Sequence, residues 1–182
     1  MLAIAKGCRV NLLRRSKNRL LAKLGARYPT FAQRLIDAYQ PQIIVDAIPW
    51  TRPAKPLCEA RLALVTTAGI HHPDQPPFDM RDQLGDPSFR ALDSETLFDD
   101  FLITHDYYDH SDARKDPNIV LPLDRLRELV NEGLLGGLAK THYGFMGHID
   151  GPHIITLVEK TAREVAQRLK EDQVDLVLLT PA

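Results

Sequence analysis

Hydrophobic positions along the chain change period several times, and each change predicts an element. Over residues 11–40, Leu12, Leu13, Leu20, Leu21 and Leu24 recur near helical spacing with basic residues between them. Gly25 and Pro29 interrupt this pattern, and residues 31–39 read as a second short helix ended by Pro41. Residues 46–57, with Pro49, Pro53 and Pro56, suit an extended connector. That places a domain boundary between a basic helical extension, 1–45, and an α/β domain, 46–182.

The run 61–67 is almost continuously apolar, as a strand buried on both sheet faces requires. It exits at Ala68-Gly69. An irregular stretch follows to about Asp100, in which Phe78, Phe89 and Leu92 predict packing rather than disorder. Residues 101–104 read as a short strand running into His105-Asp-Tyr-Tyr-Asp-His110. Asp116-Pro-Asn118 reads as a turn built by side-chain bonding. Residues 122–132 predict a helix with Leu123, Leu126, Leu129 and Val130 on one face and Gly133 as its stop. Residues 152–170 predict the longest helix, with Ile155, Leu157, Val158, Val165 and Leu169 inward, and 174–179 a last buried strand. Alternating strands and helices give a three-layer α/β fold, a mostly parallel sheet flanked by helices.

Composition changes this picture little. The 182 residues are 44% hydrophobic and 26% charged, ordinary for a domain with a real core. A formal net charge of −1 gives no general case for nucleic acid or membrane. The charge is uneven, however. Lys6, Arg9, Arg14, Arg15, Lys17, Arg19, Lys23, Arg27 and Arg34 precede the first acid, Asp37. Such a segment is either a solvated helix face or a contact for an acidic partner, RNA or a membrane surface. No stretch has the roughly 20 apolar residues of a membrane span. Cys8 and Cys58 lie too far apart for a metal or redox motif, which fits a soluble protein of the reducing cytoplasm.

Ligands of open α/β sheets bind beyond the carboxyl ends of strands. That rule singles out Thr67, Gly69 and His71 after the first strand, and His105, Tyr108 and Asp109 after the second. His105, Tyr108 and Asp109 could orient a carboxylate or deliver a proton. Gly144 and Gly147 would permit close backbone approach. The seven histidines also offer His71-His72-x-Asp74, His105-x3-Asp109-His110 and His142-x5-His148 as metal ligands. None has a recognised spacing, so no metal is expected.

Five motifs then carry a resemblance. Arg61-Leu-Ala-Leu-Val-Thr-Thr-Ala-Gly-Ile-His71 follows Lys55-Pro-Leu57; Asp86-Pro-Ser-Phe-Arg90, Thr104-His105 with Tyr108-Asp109, Asp116-Pro-Asn118 with Pro122-Leu-Asp-Arg-Leu-Arg-Glu128, and Phe145-Met-Gly147 come after it. In order and spacing, residues 50–182 resemble the selenoprotein B family of glycine, sarcosine, betaine and D-proline reductases. The resemblance adds Met146 to the substrate-pocket candidates. It implies reductive cleavage of a C–N bond beside a carboxyl group of a small amino-acid-like substrate. It also implies a selenocysteine nucleophile, a thiol electron donor, and a partner subunit carrying a pyruvoyl group. In that family a strand like Val174-Asp-Leu-Val-Leu-Leu-Thr-Pro181 leads into the redox motif. The expectation is therefore a chain that is the N-terminal part of a selenoprotein, read as stopping at a UGA codon, with selenocysteine immediately after Ala182. No residue present is then the attacking group, and the isolated chain is expected to be inactive. Two alternatives stand beside this: a non-catalytic paralogue that binds an amino-acid ligand or a partner, and a metal-dependent enzyme.

Overall fold

The structure, a computed structural model, describes residues 2–38, 51–95 and 100–182, with side chains from residue 12 onward and without that of Leu35. The expected boundary at residues 45 and 46, Pro41, Pro49 and the first part of the connector lie outside the described residues.

Two helices open the chain, α1 at Leu2–Arg27 and α2 at Pro29–Asp37. The break between them falls at Tyr28, because Pro29 lacks an N–H and suits the first turn of a new helix. Gly25, read as an interruption, stays inside α1.

The core strand β1, Arg61–Thr66, is central. It pairs in parallel with β5 (Gly137–Leu138) and β6 (Thr141–Gly144) at successive points along its length, and with β7 (Leu176–Thr180). β3, Arg90–Asp93, adds to β6 in antiparallel register, Ala91 opposite Tyr143. A separate two-stranded ladder joins β2 (Ile70–His71) to β4 (Leu102–Ile103). The sheet is therefore mixed but mostly parallel.

Alternation along β1 divides the core. Leu62 and Leu64 face a cluster with Leu121 and, from α3 (Leu123–Asn131), Leu123 and Leu126. Ala63 and Val65 face Tyr143, Phe145, Val165 and Leu169, the last two from α5 (Ala162–Glu171). Helices thus cover both sheet faces, giving the three layers. No helix among the described residues is long and apolar enough to cross a membrane.

Two expectations are corrected. The predicted helix 152–170 is α4 (Pro152–Thr156), a π-helical turn at Leu157–Thr161, and then α5. The wider π-turn rotates the residues before it relative to α5. Ile155 and Val158 consequently point outward, 66% and 42% exposed, while Val165 and Leu169 remain buried. The last strand is not buried: β7 pairs only with β1 among the described strands, and Leu179 is 69% exposed.

The long stretch after β2 is held rather than loose. Asp86 accepts N–H bonds from Asp79 and Ser88, both at 2.9 Å. Arg90 donates to the carbonyls of Pro76, Pro77 and Phe89 and lies 4.3 Å from the ring centre of Phe78. The Asp86-Pro-Ser-Phe-Arg90 segment therefore staples this stretch to β3. Asp116 caps a short 3-10 helix, Pro117–Ile119, and the Asp124 N–H donates to Asn118 Oδ1 at 3.0 Å, so both residues build the predicted turn.

Candidate functional site

The carboxyl ends of β1, β6 and β7 converge. Thr67 donates its N–H to the Thr180 carbonyl at 3.1 Å, and its Oγ1 accepts the Ala182 N–H at 3.2 Å. Phe145 donates to Thr66 O at 2.8 Å. Gly69 then links three segments: its N–H donates to Phe145 O, and its carbonyl accepts from Thr104 N–H, both at 2.9 Å. Its φ of +70° and a built Cβ only 2.5 Å from Thr104 O leave no room for a side chain.

Thr104 delivers His105 to this junction, where it is 4% exposed. Both ring nitrogens of His105 face backbone donors. Nδ1 accepts from Tyr107 N–H at 3.1 Å and Nε2 faces Gly147 N–H at 3.2 Å. A neutral imidazole accepts at one nitrogen only, and an imidazolium at neither. Protonation would turn both contacts repulsive. Burial, followed by the nearby His148 and His110, lowers the His105 pKa to about 4. Near pH 7 the ring is neutral, so it serves as a hydrogen-bonding group rather than a cationic carboxylate anchor. A Cβ at Gly147 would lie 3.2 Å from both His105 Nε2 and Thr67 O and 3.4 Å from Ala182 O, which marks it as the point where these residues meet.

Tyr108 packs edge-on to His105, ring centres 4.9 Å apart, and donates its hydroxyl to Ala68 O at 3.1 Å. Burial raises its pKa, keeping the phenol protonated. Met146, 1% exposed, packs with Phe78 and Met80 beneath the junction. Thr67, Gly69, His105, Tyr108 and Met146 are thus brought together. His71 is 2% exposed and locally satisfied: Nδ1 is 2.8 Å from His72 O and Nε2 is 2.8 Å from Thr104 Oγ1. It buttresses Thr104. Asp109 turns away and caps the Ser111 N–H at 3.1 Å; hydrogen bonding from the Ser111 side chain, and then from this N–H, lowers its pKa. There it lines a cavity of about 390 Å³ with Arg19, Lys23, His110 and Arg114, on the α1 side of Tyr108.

Sequence reasoning passed over Asp106. This carboxylate is 2% exposed and receives Arg15 Nε and Arg19 Nε, the latter at 2.7 Å. Burial would raise its pKa, but the two guanidinium bonds hold it below the ordinary value. The unbroken cationic run of α1 was the available signal. Cys58 is exposed on a 3-10 helix, Leu57–Glu59, ahead of β1. It therefore sits about 20 Å of strand away from the junction. Among the described residues, no group of three or more His, Cys, Asp or Glu could hold a metal ion.

Comparison with known proteins adds three relatives. Residues 29–182 match the family model described as glycine/sarcosine/betaine reductase selenoprotein B. The chain is 37% identical over 149 residues to D-proline reductase subunit gamma of Acetoanaerobium sticklandii, covering 80% of this chain and 60% of that one. It is 35% identical over 138 residues to glycine reductase complex component B subunit gamma of Symbiobacterium thermophilum, and 30% over 143 residues to sarcosine reductase complex component B subunit beta of Peptoclostridium acidaminophilum. Those two matches cover 74% and 77% of this chain but only 31% and 32% of the relatives. No solved structure matches.

Proposed function

This chain belongs to the glycine/sarcosine/betaine reductase selenoprotein B family, and from that premise we propose that it is the N-terminal part of a subunit that reductively cleaves a C–N bond alpha to a carboxyl group. The substrate class is a glycine derivative or a D-proline-like amino acid. The overall reaction breaks the C–N bond, places a hydrogen on the α-carbon and one on the departing amine nitrogen, and oxidises a dithiol to a disulfide. A selenocysteine outside these residues would supply the nucleophile, and a pyruvoyl group on a partner subunit would supply a carbonyl for the substrate amine.

The observation that supports this reading is the convergence of Thr67, His105 and Gly147 at the carboxyl ends of parallel strands, in a chain of this family. That position is where α/β sheets hold their ligands. Within it, neutral His105 accepts the Tyr107 N–H and packs against Gly147, Tyr108 stays a phenol donor tied to Ala68, and Gly69 holds the two loops in contact. These residues position; none is a strong nucleophile at neutral pH.

The test is reconstitution of the chain with the rest of the subunit and with its pyruvoyl partner. Dithiothreitol serves as donor, and glycine, sarcosine, betaine and D-proline are each followed by mass spectrometry. Reductive cleavage of one of them by the assembled complex, and none by the isolated chain, is expected. A complex that binds but turns over none would favour the second reading, a non-catalytic amino-acid or partner-binding paralogue. Turnover by the isolated chain would sink the assignment of the nucleophile to residues outside it.

A further inference from the structure

Helix α1 has two working faces. At 100° per residue, Arg15, Arg19, Ala22 and Ala26 share one side. Arg15 and Arg19 from that side clamp Asp106, and Arg14 beside it donates to Met80 O at 2.8 Å and Arg81 O at 3.0 Å. Leu13 and Leu24 lie on the opposite side, 73% and 36% exposed, and Leu20, seven and four residues from them and 59% exposed, lies at its edge, where it also borders the cavity beside Tyr108 and Asp109. Lys17 and Arg27 lie on that same outward side, and both are exposed. A single exposed leucine needs no explanation, but a stripe at this spacing is how a helix presents anchors to a groove.

Charge specifies the occupant. Residues 1–37 hold nine of the 23 Lys and Arg and one of the 24 Asp and Glu. A cationic helix with a leucine stripe is complementary to an apolar groove rimmed by carboxylates. A second α1 laid on the first would instead oppose like cations along the seam. Three leucines without an aromatic residue also make a weak lipid anchor. Curated relatives are named as subunits and components of reductase complexes, which makes a protein partner available.

We propose that the outward face of α1 docks into an acidic-rimmed apolar groove on the partner subunit, with Leu13, Leu20 and Leu24 as anchors. This rests on the multi-subunit reading given above. It also joins that contact to the site, because the inward face of the same helix holds Asp106, the residue next to His105.

Binding of the separately purified pyruvoyl-containing subunit to the chain, measured by biolayer interferometry at low and high salt, tests the proposal. Leu13→Glu and Leu20→Glu should each weaken binding about tenfold, and Lys17→Glu with Arg27→Glu should remove most of its salt dependence. Circular dichroism should be unchanged, since glutamate is a good helix former at an exposed position. Unaltered binding by all variants would overturn the docking face while leaving the multi-subunit reading intact. No binding by the unsubstituted chain would count against that reading itself, and the docking face would fall with it. Sedimentation with phosphatidylserine vesicles, or a dimer by light scattering, would overturn the proposal if either depended on the same leucines.

Discussion

A methyl group at position 69 would meet the carbonyl oxygen of Thr104 at 2.5 Å, and the backbone there already sits at φ +70°. Gly69→Ala therefore combines left-handed strain with a clash that no side-chain movement relieves. The expected cost is about 3 kcal/mol. For a chain of this size that corresponds to a fall in Tm of roughly 10 °C, measurable by calorimetry. A change below a degree would mean that the junction of β1, β6 and Thr104 is looser than described. The position was legible in the sequence, because a glycine ending an apolar strand announces a sharp exit. His105 was legible for the same reason. Its neutrality was not, since that depends chiefly on burial, and then on His148 and His110 brought near it by the fold. Likewise, nothing local to Asp106 reveals that arginines about 90 positions earlier neutralise it.

Elements were legible in proportion to their length. β1, α3 and α5 carry enough apolar positions for a period to show. β2 and β5 have two residues each, and β3 and β6 four, so no period can appear and their strand character comes from pairing with their neighbours; β4, also two residues, was read only from the apolar run 101–104. β7 shows the converse, since an apolar run predicts a strand but not what covers it. Leu179→Lys should change stability by less than about 0.5 kcal/mol, because that side chain is 69% exposed. Leu64→Ala, at 0% exposure in β1, should cost about 2–5 kcal/mol. Urea midpoints of the two variants would decide whether β7 is an edge in solution. For α1 the decisive contacts are polar. Arg15→Ala with Arg19→Ala leaves Asp106 buried without its cations, and a helix that lifts away restores water to it. Hydrogen exchange should therefore accelerate in α1 and around residues 105–110, with little change in β1. Equal acceleration in β1 would mean that α1 unfolds only with the whole domain.

At the scale of the molecule, two buried imidazoles tie stability to pH. His105 and His142 both have pKa values lowered to about 4, chiefly by burial. His142 is 0% exposed on β6, and its Nδ1 accepts the Leu64 N–H at 3.0 Å across the gap between β5 and β6. That bond puts the ring hydrogen on Nε2, which is buried and has no hydrogen-bond partner in the structure, so protonating Nδ1 would break the one bond the ring makes. In the unfolded chain both rings titrate near 6.5. Between pH 6.5 and 4 the unfolded state binds more protons than the folded state, so stability rises with pH across this window. The contribution is complete above about pH 6.5 and is lost as pH falls towards 4. Each ring accounts for on the order of 3 kcal/mol, and the two together give a slope near 2.7 kcal/mol per pH unit around pH 5. Asp106, whose pKa the two guanidinium groups hold below the ordinary aspartate value, adds its own loss only at lower pH, so the two effects separate. Urea unfolding of the whole chain from pH 7 to pH 4 should show at least this slope, since burial also lowers the His110 pKa, and His142→Gln should reduce it by the share of one ring. A slope that the substitution leaves unchanged would mean that His142 is reached by water in the folded state, and that the gap between β5 and β6 is open rather than closed by its ring.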